Sequence, residues 1–335
     1  MQDPVIGFDY PDSWVDACGD PASLEAVKAG LAVLTADGTV LKRGFTTGTT
    51  AAAAAKAAVL SLKHQVRDIV DIMTPAGIRV DVPGEGRSGE GICRKYSGDY
   101  PGDVTAGVCF FARAEWTDSG ITITPGSGIG IWERENPRYP CGTPAISPPA
   151  YQEIVNAISE ALYTCGMSGV AVSLTVQDGE SIAEHTLNRK IGVIGGISVL
   201  GSTGFVEPWD EHLESSLIER VESSSRVVLT TGRVGLRFSR LLFPGHEVIL
   251  AGSRLSPALE HAHGEVIIAG LPALILKFMN PLFLEGSGYG SIEEMIGTPE
   301  FERRSNDTLR LFCSEHPAVR VVLIDREGRI IRKAP

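Results

Sequence analysis

Apolar residues are spread along this chain in two styles. In Arg226–Thr231, Glu247–Ala251, Glu265–Ala269 and Arg320–Ile324 they form short, continuous, β-branched runs, the first three followed by glycine and the fourth by Asp325. Runs apolar on both faces are what buried parallel strands require. The intervals are long enough for crossover helices, for example Leu255–His263 and Ile292–Phe312. The pattern predicts a Rossmann-like α/β domain with a mainly parallel sheet over residues 206–335.

Residues 41–205 read differently. A polar turn, Thr46-Thr47-Gly48-Thr49, precedes an alanine-rich stretch that predicts a helix to about Leu62, since alanine has the best helix propensity and threonine caps free N–H groups. Asp68–Met73 and Ile78–Val82 flank Thr74-Pro75-Ala76-Gly77, a turn signal between strands. Further strands are predicted near Gly91–Lys95, Gly107–Ala114, Ile121–Thr124 and Gly169–Val176, with a helix at about Ala150–Cys165. Runs of strands with helices beside them indicate an α+β domain, so the fold class is mixed α/β. The first 40 residues, with a helix around Asp20–Val33, read as an N-terminal extension.

Composition narrows the function classes. Of 335 residues, 43% are hydrophobic and 21% charged, as in a globular protein, and no apolar run nears the ~20 residues of a membrane span. The opening MQDPVIGFDYPDSW is acidic and proline-interrupted, unlike a secretory signal, so a cytoplasmic chain without a membrane partner is expected. A net charge of −11 disfavours duplex nucleic acid, whose binding depends on neutralising phosphates. The six cysteines form no CxxC pair and are expected to be reduced, and His261 and His263 would not share a helix face, so no protein-bound metal is expected. Glycine stands out, with 38 residues against a usual share of roughly 7%.

Four stretches carry candidate chemistry. Thr46, Thr47, Gly48 and Thr49 open a helix whose N-terminal N–H groups suit a carboxylate or phosphate; the same residues also suit a well-capped helix packed on a sheet. In ITITPGSGIGIW, Gly126, Gly128 and Gly130 follow a strand, but no helix follows them, which favours a strand-end loop over a nucleotide fingerprint. In NRKIGVIGGISVLGSTGFVEP, Gly192, Gly195, Gly196, Gly201 and Gly204 lie among isoleucine and valine. Such density implies backbone approaching another backbone or a ligand, or a hinge. Glu207-Pro208 then reads as a helix start. The loop Lys95–Thr105 carries Asp99 and Asp103, suited either to acid/base work or to stabilising turns.

Taken together, GFTTGTTAAAAAKAA, GDYPGDVTAG and NRKIGVIGGISVLGSTGFVEP resemble the CbiD family of cobalt-precorrin-5B C-1 methyltransferases, over roughly residues 41–245. The resemblance implies transfer of a methyl group from S-adenosyl-L-methionine to C-1 of cobalt-precorrin-5B, giving cobalt-precorrin-6A, in anaerobic cobalamin biosynthesis. Cobalt then belongs to the tetrapyrrole substrate. The resemblance extends a binding role to Asp99, Thr105, Gly195, Gly196, Gly201 and Thr203 as well as to Thr46–Thr49. Departures from the family pattern fall at Thr50, where cysteine or serine is usual, at Ala150, where an arginine-bearing motif is lost, and at Leu271–Leu274, where a Gly-His-x-Gly-Lys turn is replaced.

Methyl transfer demands mainly that a sulfonium methyl lie in line with a nucleophilic ring carbon. Glu207 and Asp103 are the candidate bases if the ring must lose a proton. A polycarboxylate arriving at an acidic protein needs local donors, here the Thr46–Thr49 turn with Arg94, Lys95, Arg189 and Lys190 as weaker candidates. Rival readings are a divergent member acting on another tetrapyrrole, a corrinoid carrier without chemistry, and a dinucleotide oxidoreductase, though Thr231–Gly235 lacks GxGxxG spacing. A homo-oligomer is also compatible with the sequence.

Overall fold

The computed structural model describes residues 1–66, 68–100, 102–135, 139–208 and 217–334. The chain divides into two compact units: Glu25–Val33 with Leu41–His212, and Met1–Leu24 with Leu34–Val40 and Leu213–Pro335. The segment read as an N-terminal extension is thus shared between them. In the second unit the Phe8 and Phe238 rings pack with centroids 5.3 Å apart, tilted by 39°, and the Ala36 N–H donates to the Leu241 carbonyl at 2.9 Å.

From residue 44 on, the larger unit contains β1 (Gly44–Phe45) and α1 (Thr47–Leu60). Strands β2 (Ile69–Met73), β3 (Arg79–Arg87), β4 (Glu90–Arg94), β5 (Cys109–Trp116) and β6 (Gly120–Pro125) follow, then the short β7 (Gly128–Ile129). Next come α2 (Pro148–Cys165), β8 (Gly169–Val176), β9 (Gly196–Ile197) and β10 (Phe205–Val206). One six-stranded sheet runs β2-β3-β4-β5-β8-β6, antiparallel except where β8 lies parallel to β6.

Alanine explains how α1 fits. Every residue from Thr47 to Val59 is buried, because α1 lies between the sheet and α2. The sheet answers with glycine: a Cβ on Gly86 would stand 2.3 Å from the Ala57 carbonyl oxygen, and one on Gly91 2.2 Å from that of Ala54. Backbone meets backbone here, and neither partner tolerates a larger side chain.

The smaller unit contains β11 (Arg226–Thr230), α3 (Arg233–Leu242), β12 (Glu247–Leu250), α4 (Leu255–His261) and β13 (Glu265–Gly270). It continues with α5 (Pro272–Met279), α6 (Pro299–Glu315), β14 (Val319–Ile324) and β15 (Ile330–Ala334). The sheet order is β12-β11-β13-β14-β15, the first four strands parallel and β15 antiparallel, which is a doubly wound arrangement. Val227, Leu229, Ile249, Ile268, Phe301 and Val321 fill its core. The single helix expected over Ile292–Phe312 is two: Gly297 adopts φ +85°, and Thr298 then caps α6, accepting from the Phe301 N–H at 3.2 Å with Pro299 at the first helical position.

Candidate functional site

The motif segments around Thr46, Asp99 and Gly201 are far apart in sequence and meet at residues 43–49. β10 pairs with β1 antiparallel, Phe205 opposite Phe45. The Phe45 N–H donates to the Tyr96 carbonyl at 2.8 Å, and Gly44 and Gly98 leave no room for a Cβ between Lys42–Phe45 and the Tyr96–Asp99 loop. The chain then turns into α1. Thr46 caps that helix, its Oγ1 accepting from the Thr49 N–H at 3.2 Å.

The glycine-rich segment 198–204 lies on this helix start. The Gly48 N–H donates to the Leu200 carbonyl (2.8 Å) and the Thr46 N–H to the Gly204 carbonyl (3.0 Å). Thr47 Oγ1 accepts from the Leu200 N–H at 2.8 Å, with the Ser198 and Leu200 carbonyls 3.2 and 3.3 Å away. A Cβ on Gly201 would stand 2.6 Å from Thr46 Oγ1. The Gly48 and Thr49 N–H groups that the sequence offers to an anion are therefore engaged within the protein. A carboxylate introduced at Thr47 would face the Ser198 and Leu200 carbonyls, so Thr47→Asp perturbs the fold as well as any ligand.

Sequence reasoning missed Glu153. It sits on α2, 2% exposed, with Oε1 2.8 Å from Thr49 Oγ1 and Oε2 buried without a hydrogen-bond partner. Burial, opposed only by the Thr49 hydrogen bond, pushes its carboxyl up to about 7. A signal was present: Glu153 falls on the helical stripe Ala150, Ile154, Ala157, Ile158, Ala161 that faces the core. A carboxylate on an apolar stripe marks a site worth inspecting.

The remaining predicted residues take distinct places. Asp103 lies in a buried ion pair with Lys95 and also accepts from Ser97 Oγ (2.8 Å), the Thr105 N–H (2.9 Å) and Thr105 Oγ1 (2.6 Å). Burial opposes its ionisation, but Lys95 and the hydroxyl donors outweigh it and hold the carboxyl below its ordinary range. Asp99 is exposed and accepts from the Lys42 N–H at 2.7 Å. Glu207 accepts from Nε of the buried Arg43 at 3.2 Å, while Arg43 also donates to the Gly30 and Ala32 carbonyls. The Thr203 carbonyl accepts from the Ala76 N–H at 3.1 Å. The helix expected after Glu207-Pro208 falls on residues 209–216, outside those described.

Two glycines of the rich segment divide by role. Gly196 pairs with Gly128 in the β7–β9 ribbon, and its Cβ would stand 2.2 Å from the Gly128 carbonyl oxygen. Gly195, at φ +73°, has no atom within 4 Å of a Cβ position and borders a cleft of about 160 Å³. Glu180, Ala183, Glu184, Arg189, Val193 and Ile194 line the rest of it.

A mixed sheet around a buried alanine helix, followed in sequence by a doubly wound unit, makes this a two-unit α/β protein whose motif segments converge on one helix N-terminus. The chain belongs to the CbiD family: the family's sequence model matches residues 34–208. The cobalt-precorrin-5B C(1)-methyltransferase of Methanospirillum hungatei is 55% identical to it over 99% of each chain, and that of Methanoregula boonei 52% identical over the full length of both. A crystal structure of the cobalamin biosynthesis protein cbiD from Archaeoglobus fulgidus superposes with a TM-score of 0.56 at 36% identity, covering 97% of this chain and all of that one.

Proposed function

We propose that this chain is a methyltransferase that acts on C-1 of cobalt-precorrin-5B to give cobalt-precorrin-6A, with S-adenosyl-L-methionine as donor. The observation that carries the reading is the full-length match to relatives bearing that activity in their names, with 52–55% identity across both units. A carrier, or a member specific for another tetrapyrrole, is not favoured. The departures from the family pattern are accommodated by packing: Thr50 is buried with its hydroxyl on the Thr46 carbonyl (2.8 Å), and Ala150 stands where a Cβ on Gly48 would come within 2.8 Å. Leu271 precedes α5, where Pro272 takes the first helical position.

The cleft beside Gly195, about 160 Å³, is too small to enclose the whole methyl donor, but its lining suits part of it. Arg189 suits its carboxylate, Glu180 and Glu184 its ammonium and ribose hydroxyls, and Val193 and Ile194 its apolar surface, with the Gly195 backbone left bare for close approach. The bound donor supplies an electrophilic methyl group on sulfur. The chain's own part is to bind and orient. Lys190, exposed, is a cation for the carboxylates of the macrocycle, whereas Lys95 is committed to Asp103. Asp103 and Glu207, each paired with a buried cation, hold the loop and strand around α1 in register. No helix among the described residues is long and apolar enough to cross a membrane.

Calorimetry tests the donor assignment. S-adenosylhomocysteine should bind in the micromolar range, about −8 kcal/mol, and NADH should give no heat. Folded protein that ignores millimolar S-adenosylhomocysteine would return the carrier reading to the front.

A further inference from the structure

The hydroxyl of Thr49 has one hydrogen and three polar neighbours. Glu153 Oε1 is 2.8 Å away, the Gly204 carbonyl 2.9 Å and Thr46 Oγ1 3.0 Å. The Gly204 carbonyl can only accept, so Thr49 must donate to it if that contact is to be a hydrogen bond. A carboxylate at Glu153 can only accept as well, and then competes for the same hydrogen. A neutral carboxyl removes the conflict: its O–H donates to Thr49 Oγ1, the Thr46 hydroxyl donates to the second lone pair, and Thr49 donates to Gly204. Every hydroxyl hydrogen in the cluster then has its own acceptor, and only Oε2 is left without a partner.

We propose that Glu153 is a positioning residue of the methyl-transfer site, completing the hydrogen bonds that clamp the Gly201–Gly204 segment onto the N-terminus of α1. It does so in its neutral form. The carboxyl oxygen Oε2, buried and unpartnered, gives an anion nothing to offset its desolvation. The upward displacement to about 7 agrees with the proton count.

The charged groups on the elements packed around Glu153 are engaged elsewhere. On α1, Lys56 bonds Glu160 (2.6 Å) and Asp71 (3.2 Å). On α2 itself Glu160 also bonds Arg79. Beyond β10, Glu207 pairs with Arg43. The segment Ser198–Gly204 carries no charge. Ionising Glu153 therefore takes the Thr49 hydrogen from Gly204 and places an uncompensated charge under Gly201, whose Cβ position is 3.7 Å from Oε2. The clamp loosens as pH rises.

The proposal rests on the methyltransferase reading for its consequence in turnover, but the clamp itself is measurable without substrate. Glu153→Gln keeps the shape and supplies an N–H where the neutral acid supplies an O–H. Amide exchange, corrected for intrinsic rate, should show the Thr46 and Leu200 amides of the wild type losing protection between pH 6 and pH 8, and those of Glu153→Gln keeping it. The kcat/KM of the wild type for cobalt-precorrin-5B should fall about tenfold over the same interval, as expected of a group titrating near 7, with the variant flat. Exchange that is independent of pH in the wild type, or that changes equally in both proteins, overturns the proposal. So does a Glu153→Gln protein that is folded but inactive at every pH, because the carboxylate would then act chemically. If neither protein transfers methyl while the exchange difference is present, the clamp stands and the methyltransferase reading fails.

Discussion

Gly196→Val should yield little or no soluble folded protein. The Cβ position at Gly196 is 2.2 Å from the carbonyl oxygen of Gly128 and 2.3 Å from its carbonyl carbon, and both are backbone atoms of the paired strand β7. Nothing flexible can give way. The same carbonyl oxygen is crowded by a second segment, since a Cβ at Gly179 would also meet it at 2.2 Å. Overpacking of this kind costs about 3 kcal/mol or more, a large part of the stability of a domain. Gly195→Ala is the informative neighbour. It meets no atom but requires a left-handed backbone, costing about 1 kcal/mol, so it should fold and report on the cleft. Thermal melts with soluble yields check both. A Gly196→Val protein with the wild-type melting temperature would show that the β7–β9 contact is looser than described.

The second large effect is expected at Asp103. Asp103→Ala leaves Lys95, with a side chain only 2% exposed, as a buried cation without its counter-ion, and strands Ser97 and Thr105 as well. Breaking one side of a buried pair costs about 3–5 kcal/mol. At a few degrees per kcal/mol, the melting temperature should drop by on the order of 10 °C. Because the folded-state carboxyl is held below its unfolded value, the contribution is complete above the ordinary carboxylate range and fades only as pH falls through the lower, folded value. The Asp103 carboxyl thus adds no pH dependence between pH 6 and pH 8. Burial pushes the Lys95 ammonium down, and with Asp103 gone nothing opposes it, so the loss should be no larger at pH 8 than at pH 6. An Asp103→Ala protein that melts like the wild type yet fails in turnover would instead make Asp103 the base.

Much of the fold was legible because its strands obey simple burial patterns. The strand expected at Gly169–Val176 is β8 to the residue, and the four continuous apolar runs after residue 205 are the four parallel strands of the smaller unit. The glycines were legible as close approaches, but spacing alone does not say what approaches. At Gly196 it is Gly128, at Gly86 it is α1, and at Gly192 and Gly195 the space is open. The polar turn at Thr46–Thr49 suits, by its sequence, either an external anion or a capped helix packed on a sheet. In the fold its N–H groups meet Leu200 and Thr46, and the carboxylate nearest the helix start is the protein's own Glu153. That residue is about a hundred positions away in sequence, and no local pattern connects the two. Only the packing of α2 on α1 brings them together.

Single-turnover incubation of the protein with cobalt-precorrin-5B and S-adenosylmethionine carrying a carbon-13 methyl group follows the methyl to its ring carbon. A C-1 methyltransferase gives one new labelled methyl resonance on a quaternary carbon, assigned by its couplings to C-1, and one equivalent of S-adenosylhomocysteine. Label at another ring carbon, or tight binding of the macrocycle with the label left on the donor, would contradict the proposed activity.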